Sequence, residues 1–422
     1  MDVLSKRAQL LGSGESALLS TFMLVQNNTY DEQLNPTGIC NCGVAENYLC
    51  EQELVSKLQS IQVWKGAHMY YPNPLGQMTL RKSLCHFFER VFHLKSPLNP
   101  ERMLVSCGLS GVMSLVAYLL GDPKDVFLIA SPYYTAFDHD ISAFSNCSIY
   151  RCPLLEQDKG AFHLSVDIFR EGYEQAMAKG LRPCGIILIN PSNPLGDIYD
   201  EETYESILKF AAERNLHAIF DEIYALSTFE NQPKFSSILN SQSIIDPART
   251  HFVWSFSKDF ALSGLRLGVF YAGSPELASA AANVNFIQVP SIIVQETVSA
   301  VLTDDQWIDM YLKLNRSRLT KRYEQVKKQI EQLDSRIRIR PGRAGFFLWT
   351  DFRSILHSTT FEEENRLYKI IFSQGVYITS GYNLGCSQPG WFRIIFSVKE
   401  NWIDTAIKRL HIALQIYEAL ID

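Results

Sequence analysis

Short apolar runs punctuate the middle of the chain. Asp125-Val-Phe-Leu-Ile-Ala130, Gly185-Ile-Ile-Leu-Ile189, Leu216-His-Ala-Ile-Phe220, Thr250-His-Phe-Val-Trp254 and Leu267-Gly-Val-Phe-Tyr-Ala272 are rich in β-branched and aromatic side chains. Continuous apolar character over so few residues predicts strands buried on both faces. Between them lie stretches of helical period. Glu201 to Glu213 places Tyr204, Ile207, Leu208 and Ala211 three and four residues apart, and Leu109 to Leu120 is a largely apolar helix candidate. Strands alternating with helices predict a mostly parallel sheet flanked by helices on both sides.

The C-terminal part has a different pattern. A long polar helix over Trp307 to Leu333 precedes two apolar strands, Gly345-Phe-Phe-Leu-Trp-Thr350 and Trp391-Phe-Arg-Ile-Ile-Phe396, which predicts a smaller α+β lobe. Residues before about 95 carry turn signals at Pro72, Pro74 and Gly76 but no series of parallel strands. A chain of 422 residues exceeds what one core usually supports. The expected division is residues 1–95 as an N-terminal segment contributing to the small domain, 96–305 as the large domain and 306–422 as the C-terminal small domain. Ala17 to Val25 reads as a helix of the fold rather than a signal peptide, because Ser20 and Thr21 interrupt it and no small-residue cleavage pattern follows. Gly12-Ser-Gly14 has no strand before it and reads as a turn, not a nucleotide loop.

Charge narrows the classes of partner. With 39 Lys and Arg against 45 Asp and Glu, the net charge of -6 leaves no positive excess for a phosphate backbone or an anionic membrane. Neither nucleic acid nor a membrane is an expected partner. Nine cysteines, an odd and scattered set without a Cys-x-x-Cys pair, read as reduced thiols of a cytoplasmic protein and offer no metal site.

Ligands of open parallel sheets bind beyond the carboxyl ends of the strands, so the residues just after the apolar runs carry the candidate chemistry. Those residues are Asn190-Pro-Ser-Asn-Pro-Leu-Gly196, Asp221-Glu-Ile-Tyr224 and Ser255-Phe-Ser-Lys-Asp259, followed by Arg266. Pyridoxal 5'-phosphate requires this set of groups. Its aldehyde needs an amine, its ring nitrogen a carboxylate, its phenolate oxygen hydrogen-bond donors and its phosphate hydroxyls, a cation and a helix N-terminus. Lys258, Asp221, and Asn193 with Tyr224 meet the first three needs. Ser255, Ser257, Arg266 and the amides at Ser110 and Gly111 meet the fourth. Tyr134, in Ser131-Pro-Tyr-Tyr-Thr135, is placed to stack on the ring. Arg393 stands inside an apolar strand, where a guanidinium needs an anion.

With these motifs the sequence resembles fold-type I pyridoxal-phosphate enzymes of the aminotransferase kind, and within them the 1-aminocyclopropane-1-carboxylate synthase-like branch, its animal members above all. The resemblance runs in order through Asn35-Pro-Thr-Gly-Ile39, Gly43-Val-Ala-Glu-Asn-Tyr-Leu49, Asn190 to Gly196, Phe220 to Tyr224, Ser255 to Gly268, Arg343 to Trp349 and Trp391 to Phe396. It implies that Lys258 forms the Schiff base, that Asp221 pairs with the pyridinium and that Arg393, with Asn193, holds the substrate α-carboxylate. It further implies that Glu46 lies near the substrate side chain. Tyr71 would reach the phosphate of a neighbouring subunit, which makes a homodimer with shared sites the expected assembly. Two residues depart from the plant synthases: Pro74 stands for a tyrosine and His139, in Phe137-Asp-His-Asp140, stands for an arginine. Transamination of an L-α-amino acid is therefore the favoured activity. A synthase-type lyase acting on S-adenosylmethionine and a catalytically silent pyridoxal-phosphate-binding regulator are the alternatives.

Overall fold

Apolar runs and amphipathic stretches become strands and helices in the computed structural model, which describes residues 3–6, 8, 9, 17–154 and 162–421. The expected turn at Gly12-Ser-Gly14 lies outside the described residues. A two-residue strand, β1 (Cys40–Asn41), is followed by the seven of the main sheet: β2 (Met103–Cys107), β3 (Val126–Ser131), β4 (Ser148–Pro153), β5 (Pro183–Ile189), β6 (His217–Asp221), β7 (Thr250–Ser255) and β8 (Leu267–Tyr271). Their order across the sheet is β2-β8-β7-β6-β5-β3-β4. Strands β4, β3, β5, β6 and β7 run parallel to one another. The expected helices form as Gly108–Leu120, Glu201–Glu213 and Asp305–Leu333. The Asp200 side chain caps the second by accepting from the Thr203 amide.

Strand β8 is antiparallel to both of its neighbours, β7 and β2. The link from β7 to β8 holds only the one-turn helix Phe256–Asp259 and a short 3-10 turn, too little for the crossover that a parallel return needs. Two strands were not legible in the apolar pattern. β4 buries only Cys152 of its six residues and lies at one edge, and β2 lies at the other.

The C-terminal lobe carries β9 (Arg338–Arg340), β10 (Phe347–Asp351), β11 (Val376–Tyr377), β12 (Thr379–Ser380) and β13 (Trp391–Ile395). Four of these make an antiparallel sheet in the order β12-β13-β10-β9, while β11 pairs in parallel with β1. The chain before residue 95 divides between two cores. Tyr30, Cys40 and Cys42 pack with Phe346, Phe392 and Leu410 of the C-terminal lobe. Leu54, Leu80, Leu84, Phe87 and Phe88 pack beneath the main sheet with Phe252 and Trp254. A second layer, including Val112, Met113, Val116, Phe127, Ile187 and Val253, covers the other face. Because β3, β5, β6 and β7 point the same way, the residues after all four open onto one crevice, where the N-terminal segment and the C-terminal lobe meet the sheet.

Candidate active site

A cavity of about 710 Å³ lies in that crevice. Its wall includes Glu46, Ser110, Tyr134, Asn193, Asp221, Tyr224, Ser257, Lys258, Arg266 and Arg393. Residues far apart in sequence thus come together at one place, several of them from just beyond the carboxyl ends of strands.

Lys258 sits in the one-turn helix after β7, and its Nζ donates to the Ala45 carbonyl at 2.6 Å. Burial brings its pKa down to about 8, with Arg393 and Arg266 acting in the same direction and Glu46 and Asp221 opposing them. The helix that carries it is locked by the next residue. Asp259 is fully buried, accepting from the Leu226 amide at 3.1 Å, the Ser227 hydroxyl at 2.6 Å and Trp254 Nε1 at 2.8 Å.

Asp221 closes β6. Its Oδ1 accepts from the Ile223 amide at 3.1 Å, and burial raises its pKa to about 7 against the pull of that hydrogen bond and of Lys258. A cation brought to this carboxylate would return it to the ionised form. Tyr224 lies edge-on to Phe346 and Phe347, with centroids 5.3 and 5.4 Å away, and its buried hydroxyl has no hydrogen-bond partner among the described residues. A buried phenol in that state is poised to donate to a ligand.

Arg393, on β13, is almost wholly buried, and among the described residues no carboxylate bonds to it. Its Nη1 donates to Asn193 Oδ1 at 2.8 Å and its Nη2 to the Gly43 carbonyl at 2.7 Å, while Nε has no partner. A guanidinium held by neutral oxygens retains the capacity to bind an anion. Desolvation accordingly lowers its pKa from the usual value.

At the other end of the cavity, helix Gly108–Leu120 begins directly after β2. Gly108 has a φ of +71°, and a Cβ there would fall 2.5 Å from Arg266 Nη2. The absent side chain lets the Arg266 guanidinium close on the start of the helix, where Ser110 and Arg266 both line the cavity, a cradle suited to an anion. Tyr134 also lines the cavity, where both Arg393 and Arg266 act on it, and packs edge-on against Phe137 at 5.8 Å.

Three sequence candidates stand outside the lining. Ser255 Oγ bonds the Leu267 carbonyl at 3.0 Å, lies 2.8 Å from Ser257 Oγ and accepts from the Ser257 amide, so it caps the Lys258 helix and orients Ser257. The Gly111 carbonyl accepts from Gln288 Nε2 at 3.2 Å. Tyr71 is 90% exposed beside Phe286 and away from its own chain's cavity. Glu46 does line the cavity, where Tyr48 donates to it at 2.9 Å. The structure also brings in residues that the strand-end reading missed: Asp140, Tyr377, and Leu19 and Phe22 from helix Ala17–Asn27. Asp140 was within reach of the sequence, since it belongs to the run that contains His139. No local pattern marks Leu19 or Phe22, whose place depends on how the first helix docks.

The donor set fits pyridoxal 5'-phosphate on the chain's own features, namely the unpartnered Tyr224 hydroxyl, the uncompensated Arg393 and the cradle at Gly108. The profile of the family "Aminotransferase class I and II" matches residues 47–410. The chain is similar to the 1-aminocyclopropane-1-carboxylate synthase-like protein 1 of Takifugu rubripes, 34% identical over 98% of this chain and 68% of the relative. It is also similar to the "Probable inactive 1-aminocyclopropane-1-carboxylate synthase-like protein 2" of Mus musculus, 33% identical over 96% of this chain and 71% of that protein. Among solved structures it resembles the aspartate aminotransferase of Rhizobium meliloti, with a TM-score of 0.78, 98% of each chain covered and 19% identity, a likeness of fold.

Proposed function

The chain belongs to the class I and II aminotransferase family, a pyridoxal-phosphate-dependent family, and on that premise we propose that it is an aminotransferase of L-α-amino acids. The observation that carries the reading is the convergence of Lys258, Asp221, Tyr224 and the uncompensated Arg393 on one cavity.

In this reading Lys258 attaches the cofactor and Asp221 faces its ring nitrogen. Asn193 and Tyr224 would donate to its phenolate oxygen, Tyr134 would stack on its ring, and Ser110, Ser257 and Arg266 would hold its phosphate. When bound, the cofactor supplies an electrophilic carbon and a ring that withdraws electrons from substrate Cα. The chain's own residues do the rest. Arg393, fixed by Asn193 and Gly43, binds the α-carboxylate in a fork and so sets which face of Cα is presented. Lys258 Nζ is the base that removes the Cα proton. A pKa near 8 leaves a useful fraction neutral at physiological pH while keeping the protonated amine acidic enough to return a proton. Asp221, as carboxylate, would favour positive charge at the ring nitrogen. Leu19 and Phe22 add apolar surface to the cavity wall.

The site is proposed to function in a homodimer. Trp64, Met69, Tyr70 and Tyr71 are all more than 70% exposed along one short stretch, an apolar surface of the kind that a second copy covers. Tyr71 would then serve the partner's phosphate site.

An absorbance titration of the cofactor-loaded protein with individual L-amino acids, and separately with S-adenosylmethionine, tests the activity. Conversion of the chromophore to its pyridoxamine form with one amino acid supports transamination and names the donor. Release of methylthioadenosine from S-adenosylmethionine, with no amino-acid response, replaces it with the lyase reading that the Takifugu relative's name favours. A chromophore that answers to nothing favours the silent binder, in line with the name of the Mus musculus relative.

A further inference from the structure

Asp140 stands in the cavity wall with one carboxylate oxygen, Oδ2, buried and without a hydrogen-bond partner. The Ser110 hydroxyl interacts with this carboxylate, and the charged or titratable groups that face it are His139 on its own helix, Arg266 from the β7–β8 link and Tyr134 from the loop after β3. Ser110 and Arg266 are also the hydroxyl and the cation of the cradle at Gly108. A phosphate seated between them would therefore meet Asp140. Two anions side by side in a site of low dielectric repel strongly, unless one of them carries a proton that the other accepts.

Resting on the reading that this cavity holds pyridoxal phosphate, we propose that Asp140 binds the cofactor phosphate as a neutral carboxylic acid, donating a hydrogen bond from its carboxyl oxygen to a phosphate oxygen. Asp140 is then a cofactor-binding residue, and cofactor retention weakens as pH rises. Burial already raises its pKa to about 6, against Ser110, His139 and Arg266, and a neighbouring phosphate raises it further. The bound state thus holds one more proton than the free state at pH values between the free and the bound pKa. Across that window the dissociation constant rises with pH, by up to about tenfold per unit.

The test compares dissociation constants for pyridoxal phosphate, read from absorbance and quenching of intrinsic fluorescence, in the unaltered protein and in Asp140→Asn from about pH 5.5 to 8.5. The cofactor's own ionisations are common to both proteins and cancel in the ratio of their constants. Asparagine keeps a donor that cannot ionise, so the ratio of unaltered to variant constant is expected to climb with pH, by about tenfold or more over the range. A ratio that stays flat, or a variant that binds worse at the alkaline end, overturns the proposal. Asp140→Ser, which also cannot ionise, gives the same comparison if the asparagine variant does not fold. Failure of every protein to bind the cofactor at any pH overturns the cofactor reading itself, and with it this inference.

Discussion

Lys258 is useful because its surroundings are inhospitable to an ammonium. Burial sets its pKa near 8, and the Ala45 carbonyl gives it a single aimed partner. Lys258→Ala is expected to retain the fold by circular dichroism, to lose the absorption band of lysine-bound cofactor and to slow the half-reaction by roughly 10²–10⁴-fold, the range of a general base. Survival of that band would remove Lys258 from its role. Arg393 makes a different case, because its guanidinium is held by neutral oxygens at fixed angles. Arg393→Lys keeps the charge but loses the fork, and charge-assisted hydrogen bonds of about 1.5–3 kcal/mol set the loss. The expected result is a rise in KM of roughly tenfold to a hundredfold that no choice of L-amino acid abolishes. An unchanged KM, or a rise confined to particular side chains, would argue against the carboxylate clamp.

At the scale of elements, the site depends on how closely β8 approaches the start of helix Gly108–Leu120. A Cβ on Gly268 would collide with the Gly108 carbonyl, and one on Gly108 would collide with Arg266. Gly268→Ala is therefore expected to push the strand off the helix, at a cost of about 1–3 kcal/mol. Denaturant unfolding reads that loss, and cofactor affinity should fall with it because the cradle widens. Loss of stability with unchanged cofactor affinity would separate the packing from the site. The antiparallel direction of β8 belongs to this scale as well. Its apolar run is of the same kind as that of the parallel strands, and only the short link from β7 decides how it must return.

For the whole molecule, the balance of buried charge governs the response to pH. His251 and His217 lie ring to ring, with a nitrogen contact of 2.9 Å, at the end of the sheet away from the cavity, and His251 Nδ1 accepts from the Gly273 amide. Burial holds His251 well below the usual histidine value and brings His217 down to about 4. In the unfolded chain both titrate near 6.5, so the pair stabilises the fold fully above that pH and loses its contribution as pH falls from about 6.5 to 4. Buried acids with raised values, such as Glu222 and Glu364, act in the opposite sense over part of the same range. The contribution of the histidines is therefore read as a difference: the unaltered protein should lose more unfolding free energy between about pH 6.5 and 4 than His217→Asn does. Parallel curves for the two would show that the histidines carry no such linkage.

The sequence by itself determined the strands of the parallel core, the helix between β5 and β6 and the place of Lys258, Asp221, Asn193 and Tyr224 after apolar runs. Strand, helix and turn signals are local, and a parallel sheet buried on both faces writes them plainly. Edge strands such as β4 are half exposed and lose that contrast, and the direction of β8 leaves no periodic trace. Tertiary structure alone decided that Arg393 would rest on Asn193 and Gly43 without a carboxylate. It also placed Ser255 in a cap rather than in the cavity wall, and brought Leu19 and Asp140 to the same cavity as Lys258. The physical reason is that local signals do not show which partners a side chain meets once the chain is packed: Arg393 rests on residues 200 and 350 positions away, while Ser255 turns to Ser257 and Leu267 nearby.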